Sequence, residues 1–306
     1  MARLGICTTA RSVAGLSYEG QSLYGAALEL YDEVLLIDPR EVTYKLIRDK
    51  EQPEIIFKGV SIADMNSLLI RSTKGIEIAT AVLARVCVLL GCDVVDPVER
   101  FSIGKASKVI TTISRFNSNV GTSSYFCFSS ESAIALFQDL DLQGQFPLLT
   151  KPVSGSQGEG VLRLNNLDGA LNYVRIFFQS DGFSKDPLLV QSFVEFEKEF
   201  RLLIFDGEVL GIAEKFKKRG SYVANAHQGG EFVRSDRPDL ASAAVELVSE
   251  KGLLGVDVGL DASGNLHIIE SNRAPQWHAF EKALEINVAK EILTRLVGKM
   301  RFSNSQ

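Results

Sequence analysis

Residues 255–272, G-V-D-V-G-L-D-A-S-G-N-L-H-I-I-E-S-N, read as two apolar strands joined by a polar turn at residues 261–265. Asp257 stands on the first strand. Glu270 and Asn272 lie two apart on the second, so their side chains point to one face of the sheet. The apolar neighbours Val256, Val258, Ile268 and Ile269 imply that this sheet is buried. A carboxylate in a buried sheet needs a partner. Oxygen donors with no His or Cys among them suit a hard cation such as Mg²⁺ that also binds phosphate. The competing reading of the same stretch is three solvated polar residues on an exposed hairpin.

Working backwards along the chain, residues 199–215, E-F-R-L-L-I-F-D-G-E-V-L-G-I-A-E-K, form a second hairpin with Asp206-Gly207 at its turn. Strict alternation puts Glu199 and Arg201 on the face opposite Phe200, and Glu214 and Lys215 end the returning strand. The cations of residues 217–219 read as a solvated loop, and Asn225, His227 and Gln228 belong to a polar loop that carries little by itself. Further upstream, Lys151 precedes V-S-G-S-Q-G-E-G-V, residues 153–161, which lies between two strand-like segments. Free backbone N–H groups in such a loop, around Ser156, Gln157 and Gly158, can fold over phosphate oxygens. An ordinary exposed turn is the alternative. The loop matches neither the G-x-x-x-x-G-K-[ST] pattern nor the dinucleotide fingerprint.

The chain has 306 residues, 45% of them hydrophobic and 23% charged, which is enough for about two domains with a sizeable core. A formal charge of −5 argues against a global positive field for nucleic acid. Residues 76–95 are apolar but interrupted by Glu77, Arg85 and Asp93, which suits an amphipathic helix better than a membrane span. Four Cys and three His show no metal-site or redox spacing, so reduced thiols in the cytoplasm are expected. Strand-like and helical stretches alternate through residues 1–97, giving an open α/β domain. A helix carrying Lys105 and Lys108 opens an α+β unit over residues 98–187. Residues 188–300 hold the two hairpins and the closing helices, and residues 301–306 read as a frayed tail.

Taken in this order, the segments resemble the ATP-grasp superfamily, and within it the RimK-like type that ligates glutamate to ribosomal protein S6. K-P-V-S-G-S-Q-G-E-G-V, V-Q-S-F-V-E-F-E-K-E-F-R-L-L-I-F-D-G-E-V-L-G-I-A-E-K, N-A-H-Q-G-G and G-V-D-V-G-L-D-A-S-G-N-L-H-I-I-E-S-N-R-A-P-Q each resemble a family segment. The resemblance runs from about Leu69 to Val297, and the earlier residues share only the α/β pattern. It implies a pre-ATP-grasp α/β domain followed by the two-lobed ATP-grasp fold. It also implies an ATP-dependent carboxylate–amine ligase that works through an acylphosphate.

By the same resemblance, Lys105 and Lys151 meet the nucleotide phosphates, with Ser156, Gln157 and Gly158 in a lid that excludes water from the acylphosphate. Gln191, Ser192, Phe193 and Val194 form the adenine hinge, and Glu199 takes the ribose hydroxyls. Asp257, Glu270 and Asn272 hold Mg²⁺, or Mn²⁺ in its place. Arg201, Lys215 and Asn225 face the transferring phosphate. The partners implied are a carboxylate and an amine, an amino acid or peptide, with no nucleic acid and no membrane, in a homo-oligomer (dimer or tetramer). A non-catalytic ATP-binding regulator and a kinase that stops at phosphoryl transfer are the alternatives.

Two departures bear on the substrate. Val223 stands where the S6-ligase type has Arg, and Gln276 where it has Gly, followed by Trp277 and His278. The expectation is that Trp277 and His278 border the substrate pocket, with a packing role for Trp277 as the competing reading.

Overall fold

The computed structural model describes residues 2–48, 50–71, 75–96, 109, 112–113, 122–153, 160–179, 187–216, 231–247 and 252–303. Sheet formation starts at R-L-G-I-C. Every residue of strand β1 (Arg3–Cys7) is buried, as befits a central parallel strand covered on both faces. It lies between β2 (Glu33–Ile37) and β6 (Ser67–Ile70), with β7 (Asp93–Val95) outside β6, all parallel in the order β2-β1-β6-β7. Helix α1 (Tyr18–Ala27) begins at Ser17, whose hydroxyl accepts from Gly20 N at 3.3 Å. Leu4 and Ile6 face α1 through Leu23 and Ala27, while Cys7 faces α2 (Glu77–Leu89) through Leu83 and Cys87. Helices thus cover both sides.

The polar stretch between the strand-like segments 33–38 and 67–71 forms a small antiparallel sheet of β3 (Val42–Lys45), β4 (Glu54–Phe57) and β5 (Val60–Ser61). Lys58 and Gly59 both have positive φ, the turn geometry that a two-residue hairpin requires. The alternation in E-I-I-F, with Ile55 and Phe57 buried, was the signal that could have found it.

A second, antiparallel sheet has the order β10-β9-β11-β8, built from β8 (Ser124–Cys127), β9 (Leu148–Pro152), β10 (Leu162–Leu164) and β11 (Leu188–Ser192). It is covered by α3 (Ser130–Leu142), which starts in a reciprocal Ser129/Ser132 capping box, and by α4 (Leu167–Gln179). The third sheet, β14-β13-β12-β15-β16, holds both sequence-predicted hairpins. Its strands are β12 (Phe196–Phe205), β13 (Glu208–Phe216), β14 (Glu231–Arg234), β15 (Leu253–Asp261) and β16 (Leu266–Asn272). Asp206 and Gly207 have φ of 50° and 85°, the turn that their sequence demands. Helices α5 (Pro238–Leu247), α6 (His278–Leu284) and α7 (Val288–Ser303) complete the chain.

Two boundaries differ from the sequence reading. β11 pairs with β8 and β9, so the change of sheet falls at residues 193–195 and not at 187/188. α7 runs on to Ser303 where a frayed tail was expected. Its residues Ala289, Ile292, Leu293 and Leu296 share one core with Leu4, Leu23, Trp277 and Phe280, so the end of the chain closes the first domain. All four cysteines are buried and unpaired, and burial pushes the Cys7 thiol up to about 12. Among the described residues no helix is long and apolar enough to cross a membrane.

Candidate functional site

Alternation along β12 divides its side chains between two environments. Phe200, Leu202 and Ile204 enter the core beneath α5 with Leu240, Val256 and Val258. Glu199 and Arg201 take the other face, and two residues further on that same face becomes apolar with Leu203 and Phe205. Register then aligns the charges across strands: Arg201 is opposite Asp257, Asp257 is opposite Glu270, and Glu199 is opposite Lys215. The signal in E-F-R and G-V-D-V-G therefore translated directly into one polar row.

Asp257 is 3% exposed. Its Oδ1 accepts from Arg201 Nε at 2.5 Å, and its Oδ2 from Arg201 Nη2 at 2.9 Å and Lys215 Nζ at 2.9 Å. Burial alone would raise the Asp257 pKa, and the adjacent Arg201 and Lys215 charges reverse that and hold it below the usual carboxylate range. For Arg201, burial works against the charge, while Asp257 and then Glu270 more than restore it. Glu270 accepts from Asn272 Nδ2 at 2.9 Å. Arg201 and Lys215 thus converge on the buried Asp257, with the half-buried Glu199 and Glu270 in the same row, an arrangement suited to receiving a polyanion and its metal.

Among the described residues no three His, Cys, Asp or Glu side chains converge into a metal cage. Asp257, Glu270 and Asn272 nevertheless fit Mg²⁺, which is commonly held by one or two carboxylates with a substrate's phosphates completing the shell. Gly255 and Gly259 flank Asp257 on its own face. A Cβ at Gly255 would lie 2.6 Å from Pro275 Cβ and 3.3 Å from Arg201 Nη1, and one at Gly259 would lie 2.4 Å from the Phe196 ring. Gly255→Ala and Gly259→Ala should each cost about 1–3 kcal/mol of unfolding free energy in urea titration, because the backbone or a ring must move. A cost under about 0.5 kcal/mol at both would mean that this strand face has slack.

The remaining sequence-predicted residues sit on the neighbouring sheet or outside the described residues. Lys151 is half-buried on β9, opposite Leu189. The Gln191 side chain donates from Nε2 to Thr122 Oγ1 at 3.1 Å and to Ser124 Oγ at 2.8 Å. Ser192 N and Phe193 N donate to Ser123 O and Pro147 O, and the Arg163 guanidinium lies 4.2 Å from the Phe193 ring centroid. Phe193 and Val194 lie in the crossing from the second sheet to the third, and Glu199 is half-buried near the start of β12. Lys105, Ser156, Gln157, Gly158 and Asn225 lie outside the described residues, as do Val223 and the cations of residues 217–219.

The turn after β16 corrects one expectation. Trp277 is 0% exposed, packed with Leu4, Leu23 and Phe280, so it walls no open pocket. Its backbone N donates to the buried Glu19 carboxylate at 3.2 Å, and its ring carries the Arg71 guanidinium at 4.8 Å. His278 is exposed and stacks on Tyr18 with ring centroids 3.9 Å apart. Sequence reasoning missed Glu19 and Arg71, because each lies more than two hundred residues from the turn it holds.

The RimK-like ATP-grasp domain matches residues 120–296. A probable alpha-L-glutamate ligase of Legionella pneumophila is 29% identical over 167 residues, 53% of this chain and 54% of that protein. The chain thus spans about half the length of the first curated relatives it matches. A probable alpha-L-glutamate ligase of Maridesulfovibrio salexigens is 24% identical over 298 residues, covering 95% of this chain and 94% of that one. Among solved structures, the ATP-grasp ligase PsnB complexed with a minimal precursor superposes with a TM-score of 0.71 at 13% identity, covering 98% of this chain and 99% of the other.

Proposed function

The chain belongs to the RimK-like ATP-grasp family, and from that premise we propose that it is an ATP-dependent carboxylate–amine ligase. The observation that carries the reading is the row on one sheet face in which Arg201 and Lys215 hold the buried Asp257, with Glu270 opposite it. In the proposed reaction a substrate carboxylate oxygen attacks the γ-phosphorus of ATP, and ADP leaves. The acylphosphate formed is then attacked by an amine, and inorganic phosphate departs from the tetrahedral intermediate as the amide forms.

Arg201 and Lys215 would stabilise the charge on the transferring phosphoryl group and on the tetrahedral oxyanion, with Asn225 beside them. Asp257 holds both cations in place before ATP arrives, so little reorganisation is needed at the moment of reaction. Lys105 and Lys151 would take the other phosphates as point charges, under a lid containing Ser156, Gln157 and Gly158. Gln191, Ser192, Phe193 and Val194 would line the adenine hinge, and Glu199 would accept the ribose hydroxyls. Asp257, Glu270 and Asn272 would hold Mg²⁺, or Mn²⁺ in its place, which when bound neutralises phosphate charge.

An amino acid or peptide as substrate is supported by relatives named as glutamate ligases and by a structural neighbour, PsnB, complexed with a precursor peptide. The same reading takes the protein as cytoplasmic and homo-oligomeric.

The test is phosphate release from ATP with a carboxylic acid alone, an amine alone, and both together, across amino acids and dipeptides. Release should require both, and Glu270→Gln should lower it roughly 100-fold or more at millimolar Mg²⁺. Release that ignores the amine would sink the ligase assignment. Normal turnover by Glu270→Gln would sink the metal site.

A further inference from the structure

Arg71 follows directly on β6, at the C-terminal ends of the parallel strands. Its backbone N donates to Cys7 O at 3.4 Å, so it extends the β1–β6 ladder by one residue. The strand order β2-β1-β6-β7 reverses direction between β1 and β6. In open α/β sheets that reversal opens a crevice outside the carboxyl ends of the strands, where ligands bind.

Arg71 as a residue is half-buried, and burial of its guanidinium disfavours the charge. The guanidinium lies over the Trp277 ring at 4.8 Å, and its Nη2 donates to Pro275 O at 3.2 Å. Among the described residues no carboxylate oxygen pairs with it, although Asp96 and Glu19 act on it from further away. Asp96 pairs instead with Arg273 Nη1 at 3.1 Å, and Glu19 accepts from Trp277 N. Arg71 thus pays for burial without a contacting counter-ion, and most of its N–H fork is uncommitted among the described residues.

Pro275 connects this guanidinium to the candidate reaction centre. On its other side Pro275 packs against Gly255, at the point where an added Cβ would lie 3.3 Å from Arg201 Nη1. Arg71 and Arg201 therefore flank a single proline, one at the strand-end crevice and one in the polar row. A substrate that spans this proline would meet Arg201 with one group and Arg71 with another.

Resting on the ligase reading above, we propose that Arg71 is a substrate-binding residue that takes a non-reacting carboxylate of the amino acid or peptide substrate. Trp277 is the plate that orients its fork. Planar, bidentate recognition of a carboxylate is the task for which a pre-oriented guanidinium is suited.

The experiment uses the full chain with ADP and Mg²⁺ and measures binding of the common amino acids and of their α-carboxamides. The wild type should bind at least one free acid roughly tenfold or more tightly than its carboxamide. Arg71→Met should abolish that preference while changing ADP affinity less than twofold. Because Arg71 covers Trp277, the melting midpoint is read in parallel, and Arg71→Lys provides a second variant that keeps the charge. Without the fork it should bind the acid roughly tenfold more weakly than the wild type. The proposal is overturned if no acid is preferred over its carboxamide, or if Arg71→Met retains the preference. Phosphate release that needs no acid–amine pair would defeat the ligase reading and leave this binding result standing.

Discussion

Asp257→Asn is expected to destabilise the protein by about 3–5 kcal/mol and to lower turnover by at least as much as Glu270→Gln does. The side chains of Asp257, Arg201 and Lys215 are 5%, 14% and 7% exposed, so little water is at hand to replace the lost charge. Removing the carboxylate takes from Arg201 and Lys215 the one group that contacts both of them. The amide NH₂ of the new residue would also point a donor at donors. Urea titration at neutral pH measures the loss, and a value within about 1 kcal/mol of wild type would mean that the pair is solvated.

The pH dependence has a definite sign. The folded-state pKa of Asp257 lies below its ordinary value of 3.8. Its contribution to stability is therefore fully present above that value and is lost as pH falls through the lower folded-state pKa. Wild type and Asp257→Asn should differ most at neutral pH and converge in strong acid.

The polar row was legible because strand alternation and hairpin turns are local. Asp206-Gly207 sets the register of β12 on β13, and G-V-D-V-G announces by its spacing that Asp257 shares a face with two glycines. Other features depend on chain segments that meet only in the fold. Nothing in P-L-L-V-Q-S says that β11 closes the second sheet, because the hydrophobic run fits either lobe. Nothing in A-P-Q-W-H says that α1 and α7 cover the indole. A ring beside a metal strand reads as a pocket wall until Glu19, 258 residues away, is seen holding its backbone. Arg71 had a fainter signal, a cation ending the apolar strand S-L-L-I where an open α/β sheet presents ligands.

Trp277→Ala should cost about 3–5 kcal/mol, measured by urea titration with circular dichroism because the substitution removes the only Trp in the chain. The indole fills the junction of α1, α6, α7 and the first sheet, and no neighbour can collapse into that space without leaving its own core contacts. Trp277→Phe should cost much less. The indole Nε1 is buried without a hydrogen-bond partner among the described residues, a defect of about 1–3 kcal/mol that disappears with the substitution and offsets part of the lost bulk. Phenylalanine also keeps an aromatic face beneath Arg71. The two variants should therefore separate in substrate binding as well as in stability: Trp277→Phe keeps the preference for a free acid over its carboxamide, while Trp277→Ala weakens it with ADP affinity retained. A cost below about 1 kcal/mol for Trp277→Ala would place the ring outside the core. Equal acid preference in both variants would show that Arg71 needs no aromatic support, and the turn after the metal strand would then influence the substrate by some route other than the guanidinium.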